Sequence, residues 1–243
     1  MKKLQTAIRY ECLTSVKYIW IFYTIMLSIV AAVFITLKLC LGNNENISMS
    51  ALEISSIIYI GILGVMGFTE DFKMLIQNGF TRKYIFISTI SMFMFIAAVL
   101  AFFDTIIGSV APLVMTEYKN FFGLIYGIKN QYLLNWLLLF LTYTFVSSVT
   151  YFFVVLFNKI GKYFFIAFMV ALGIILGFIV PLLFVYVIPE NVIQNIFTFL
   201  SRIAGFTSNG TINYLYPIVS LIIGAGIFGG ITYLILRRTE LKT

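Results

Sequence analysis

Residues able to do chemistry are scarce in this chain. It has 243 residues, nine carboxylates, two cysteines and no histidine. Zinc would need cysteine or carboxylate ligands. Cys12 and Cys40 bracket a long apolar segment, which sets them near opposite membrane faces and rules out a disulfide between them. A hydrolase would need a serine activated without an imidazole, and no Ser/Lys pair is placed for it. One carboxylate, Asp104, falls well inside an apolar block. An acid in such a place faces a pathway, binds a proton or caps a kink before Gly108. It is also only a few residues from the block's outer end, where a wet outer-leaflet position would suit it equally.

Two glycine patterns invite chemical readings. Gly224-Ala225-Gly226-Ile227-Phe228-Gly229-Gly230 matches the dinucleotide pattern G-x-G-x-x-G, but that site needs a strand before it and a helix after it. Here the run lies inside an apolar block, and Gly226 with Gly230 fits the G-x-x-x-G pattern of helix contacts instead. Gly61, Gly64 and Gly67 form a second small-residue stripe. There is no G-x-x-x-x-G-K-[ST], so the chain lacks a phosphate loop and is not itself an ATP-hydrolysing subunit.

The elements that must position these residues are apolar helices. The composition is 61% hydrophobic and 10% charged, with a mean hydropathy of +1.04, which predicts an all-α integral membrane protein in one transmembrane domain. Residues 1–17 predict an amphipathic interfacial helix; a signal peptide's charged region would be shorter. Spans follow at about 18–39, 51–68, 84–110, 132–157, 163–188 and 214–236. Pro112 is expected to break the third and Pro181 to kink the fifth. Residues 121–128 are too short to cross. The spacing of Val192, Ile193, Ile196, Phe197, Leu200 and Ile203 predicts a membrane-skimming helix within 191–213.

Between spans two and three, Gly67 to Lys83 carries Glu70, Asp71, Lys73, Arg82 and Lys83, too much charge for lipid. Phe72, Leu75 and Ile76 share one helical face, Asp71 can serve as N-cap and Gly79 as the stop. A short amphipathic helix over 71–78 is predicted, with a plain surface loop as the alternative. Six spans put both termini on one side. Twelve of the sixteen Lys and Arg residues fall on that side, so the termini and the 67–83 stretch are expected to be cytoplasmic. The net charge of +7 is then an insertion signal, and no nucleic-acid partner is expected.

The arrangement resembles the membrane (permease) subunits of ABC exporters of the second exporter type. An interfacial helix precedes span one, a coupling helix lies between spans two and three, and re-entrant helices lie between spans five and six. The run Glu70 to Arg82 also looks like the corresponding loop of small Firmicute peptide permeases. The resemblance implies a multi-pass subunit of the bacterial cell membrane that is not itself an enzyme. It implies pairing with a second copy or a related chain, and docking of a cytoplasmic ATPase through Glu70, Asp71, Phe72, Lys73, Leu75 and Ile76. ATP and Mg would belong to that partner, with no cofactor in this chain. The cargo implied is a hydrophobic or amphipathic peptide, such as a toxin or bacteriocin. An ion-coupled secondary transporter, for which Asp104 is the one candidate residue, and a bacteriocin-immunity protein are the alternatives.

Overall fold

The computed structural model describes residues 2–41, 50–67, 72–115, 118–128, 131–186, 188–207 and 210–238. Among these the secondary structure is helical, with only two isolated β-bridges. Five helical stretches are long and apolar enough to cross a membrane: Leu4–Cys40, Arg82–Leu113, Tyr132–Ile160, Lys162–Phe184 and Leu215–Arg237. They mark a multi-pass membrane protein. Residues 1–151 and 152–240 fall into two compact units.

In the first unit, α1 spans Lys2–Leu41 without interruption. The separate interfacial helix expected over 1–17 is therefore corrected: no Gly or Pro occurs between Lys2 and Leu41, so nothing stops the helix from continuing. Forty residues at 1.5 Å reach about 60 Å, twice the hydrocarbon thickness. Its buried positions are Ala7, Glu11, Ser15, Ile19, Tyr23 and Met26, a single stripe at near-fourfold spacing. Helix α2, Glu53–Met66, is shorter than the span expected there; its 14 residues cover about 21 Å. The short α3, Lys73–Gln77, leads to α4, Arg82–Val114. Pro112 does not break α4. It sits in the last turn, where only the one hydrogen bond to the Gly108 carbonyl is forgone. Helix α5, Phe121–Tyr126, ends at Gly127 in the left-handed region, and α6 spans Tyr132–Ile160.

Side-chain pairings fix the directions within this unit. Glu11 meets Ser88, and Tyr23 meets Leu100 and Asp104, so α1 and α4 run parallel. Gly108 adjoins Glu53 while Gly67 adjoins Thr89 and Phe93, so α2 runs antiparallel to both. Asn135 meets Thr105 and Tyr151 meets Phe93, so α6 is antiparallel to α4 as well. Gly64 makes the closest approach. A Cβ there would lie 2.0 Å from Thr150 Oγ1 and 3.0 Å from the Ser147 carbonyl, so only glycine lets α2 lie against α6. At Gly61 the nearest atom would be an ordinary 3.7 Å away.

In the second unit, the fifth apolar block is one helical path with a defect. Helix α7, Lys162–Ile174, passes into a π-helical turn over Ile175–Ile179 and then α8, Val180–Tyr186. The expected Pro181 effect takes this form. Without an N–H at 181 the Gly177 carbonyl has no partner four residues on, and the preceding turn widens so that the Val180 N–H reaches the Ile175 carbonyl. The turn before α7 needs only Gly161, at φ +94, because α6 continues through Asn158 and Lys159. Helix α9, Glu190–Ile203, is amphipathic and has no buried residue. A bridged turn follows, in which Phe206 pairs with Ile212 and the Asn213 N–H donates to the Gly205 carbonyl at 2.8 Å. Helix α10 is Leu215–Arg237.

Candidate functional site

The first unit has a polar interior. Asp104, 3% exposed, is enclosed by three helices and is not in a wet outer-leaflet position. Its Oδ2 accepts from the Tyr143 hydroxyl of α6 at 2.5 Å, and its Oδ1 contacts the Tyr23 hydroxyl of α1 at 2.9 Å. The Tyr23 oxygen is also 3.1 Å from the Leu100 carbonyl oxygen. From α2, the fully buried Ser56 hydroxyl faces Asp104 and Tyr23. Tyr23 is held by ring contacts with Phe22 and Phe103, and Phe22 stacks on Tyr59 at 4.2 Å.

A second buried carboxylate, Glu53, is 1% exposed and within electrostatic reach of Asp104. It begins α2, where the helix dipole favours negative charge. Its Oε2 accepts from the Tyr118 hydroxyl at 3.3 Å, while Oε1 has no partner. Burial, and then the Glu53 carboxylate, raises the Tyr118 phenol above its ordinary range, so Tyr118 stays a donor. The segment that brings Tyr118 here is tied down by the Ala51 N–H, which donates to the Lys119 carbonyl at 2.9 Å. Gly108 lies beside this group: a Cβ on it would make ordinary contacts of 3.5 to 3.9 Å with Asn120, Glu53 and Tyr118. A cavity of about 360 Å³ opens beside this group, lined by Gly108, Tyr118, Asn120, Gln131 and Asn135 among others. Asn120 donates to Asn135 at 3.3 Å and Asn135 to Thr105 at 3.4 Å.

The third buried carboxylate, Glu11, lies toward the other end of the unit. Its Oε2 accepts from Ser88 at 2.6 Å, and Ser15 donates to its backbone carbonyl at 2.7 Å. Glu11 lines a cavity of about 260 Å³ together with Tyr18, Leu63, Gly67, Met92 and Met74 of α3. Neither Glu53 nor Asp104 makes an ion pair among the described residues, and no cluster of three metal-ligating side chains occurs among them.

The predicted coupling residues divide. Glu70 and Asp71 lie outside the described residues, and so does the proposed N-cap at Asp71; of Lys73 only the backbone is described. Phe72 and Leu75 are 1% and 3% exposed. They face into the unit, which corrects the expectation that this apolar face is free for a partner. A short helix with few internal hydrogen bonds is held by its tertiary contacts, and those two side chains supply them. Ile76 is half-buried, Gln77 and Asn78 are exposed, and Gly79 ends the helix at φ +74 as its position predicts. Of the predicted packing glycines, Gly64 is used within the chain. Gly226 and Gly230 are not: a Cβ on either would meet nothing within 4 Å.

Sequence reasoning found Asp104 but missed Glu53, Glu11, Tyr23 and Tyr143. A signal for Glu11 was present. Ala7 and Ser15 lie four residues to either side, the spacing that sets small neighbours on one helical face. Comparison with family models, curated proteins and solved structures finds no match.

Proposed function

We propose that this chain is the transmembrane subunit of an ATP-driven exporter, with ATP hydrolysed by a separate cytoplasmic partner and a second membrane chain completing the pathway. The observation that carries this reading is α3. It is anchored through Phe72 and Leu75 into the first unit and turns Gln77 and Asn78 outward. A helix seated by its apolar face can transmit a push on its outer face to α4 without bending away from it, which a plain loop cannot. The partner would touch Ile76, Gln77 and Asn78, with Glu70, Asp71 and Lys73 as the adjoining charged rim. Both termini would be cytoplasmic in a six-span bacterial membrane protein, on the charge asymmetry of the sequence. Hydrophobic or amphipathic peptide cargo fits an apolar groove of about 740 Å³ between α4 and α6, lined by Phe102, Ile106, Leu133 and Trp136 with the hydroxyls of Thr105 and Ser109. The ion-coupled alternative draws its support from Glu53 and Asp104.

The test is purification of the tagged chain from native membranes in mild detergent, followed by ATP turnover. An ATPase should co-purify, and it should be lost from the Gln77→Asp/Asn78→Asp double variant; because Asn78 also donates to the Met74 carbonyl at 2.8 Å, an unchanged chromatographic peak of the variant shows that the fold has survived. Wild-type chain that purifies with no ATP turnover would overturn the exporter reading in favour of the ion-coupled one. Unchanged co-purification with the double variant would move the contact off α3.

A further inference from the structure

Among the described residues, Asp104 is a buried acid with no positive charge beside it. Its carboxyl meets the Tyr23 hydroxyl at 2.9 Å and the Tyr143 hydroxyl at 2.5 Å. The Tyr23 oxygen also lies 3.1 Å from the Leu100 carbonyl oxygen, so the phenol can turn its one hydrogen to Leu100 and accept from a protonated Oδ1. A neutral carboxyl suits this site, because burying an ionised carboxylate without a cation is costly. The ionisable side chains converging on Asp104 are Tyr23 from α1, Glu53 from α2, Tyr143 from α6 and Tyr118 from the segment before α5. None of these is a cation, and two ionised carboxylates this close in a buried site repel one another.

We propose that Asp104 and Glu53 form an intramembrane proton-binding site, with the proton resting on Asp104. Glu53 shares the buried site, and with Glu53 ionised a second negative charge on Asp104 is disfavoured. Ser56 of α2, fully buried beside the Asp104 carboxyl, adds a further hydroxyl to the site. This site does not depend on the identity of the ATPase partner and stands whether or not the exporter reading holds.

The experiment is infrared spectroscopy of the full chain in lipid vesicles, in H₂O and after transfer to D₂O. A carbonyl band from a protonated carboxyl is expected at neutral pH. It should vanish in Asp104→Asn, which keeps the shape and supplies an N–H donor to Tyr23. It should shift to higher frequency in Tyr23→Phe, which removes the acid's acceptor but leaves its core position. In Glu53→Gln the band should persist. Absence of the band, or a band unchanged in both Asp104→Asn and Tyr23→Phe, overturns the site. Loss of the band only in Glu53→Gln overturns the assignment of the proton to Asp104.

Discussion

The two units solve opposite problems with the same helices. The first buries Glu11, Glu53 and Asp104 together with Ser56, Ser88, Thr89 and Asn135. The second leaves its charged groups exposed: Lys159, Lys162, Glu190, Arg202, Arg237 and Arg238 all lie at helix ends. Its α7 and the π turn after it bury nothing. Lipid is as apolar as leucine, so an apolar helix gains little by leaving it, whereas a polar face must find partners. The first unit is therefore held by close backbone approach and hydrogen bonds, and the second presents apolar surface to its surroundings. Chemistry and conformational specificity are concentrated in the unit whose polar groups leave it no alternative packing.

The strongest way to break this contrast is to put the same side chain on a glycine in each unit. Gly64→Leu drives a Cβ to within 3.0 Å of the Ser147 backbone, which cannot move aside as a side chain would. Separating α2 from α6 also disturbs Ser56 and Glu53. We expect a loss of about 3 kcal/mol or more, seen as a large drop in the temperature at which the detergent-solubilised chain leaves its monodisperse chromatographic peak. Gly226→Leu, where a Cβ meets nothing within 4 Å, should leave that temperature unchanged. Equal destabilisation by the two would mean that the stripe in α10 is also a packed surface.

Asp104 offers a finer separation. Asp104→Ala removes a partner from two buried phenols, Tyr23 and Tyr143, at about 1–3 kcal/mol for each group left unserved. Asp104→Asn retains an acceptor for Tyr143 and a donor for Tyr23 and should cost less than 1 kcal/mol or so on the same argument. Thermal unfolding of the two variants side by side gives the answer. If both fall equally, a negative charge at 104 is what the unit requires, and the proton assignment fails with it.

Much of this organisation was legible in the sequence, for physical reasons that also mark the limit. Apolar blocks of 20 residues announce spans because lipid leaves no other conformation for them. The long α4, α6 and α10 therefore came out within a few residues, and Gly79 ended the short helix where its freedom at positive φ predicts. What could not be seen was contact between helices. Phe72 and Leu75 form an apolar face whether that face meets a partner protein or the chain's own α4. Gly64 and Gly226 sit in equivalent patterns, yet only one has a neighbour. Glu53 drew no reading, because nothing local shows that Tyr118, sixty-five residues on, folds back over it. Helix length was misjudged where a boundary was drawn from charge. Lys2, Lys3, Arg9 and Lys17 suggested an interfacial segment, but charge does not end a helix that has no Gly or Pro.

The smallest effect belongs to Pro181, and it tests the second unit alone. The π turn over Ile175–Ile179 exists because residue 181 has no N–H to offer the Gly177 carbonyl. Pro181→Ala restores that donor, and the turn should close to regular α geometry with the Val180 N–H returning to a partner four residues back. Because α7 and the π turn carry no buried side chain, nothing packed against them resists the change, and stability should move by less than about 1 kcal/mol, in the stabilising direction. Amide hydrogen exchange over residues 175–181 reads the outcome directly: protection should rise in the variant, with the first unit unaffected. Exchange that stays as fast as in the wild type would show that the π turn is set by its surroundings, and hence that this helix has a partner in the membrane other than lipid.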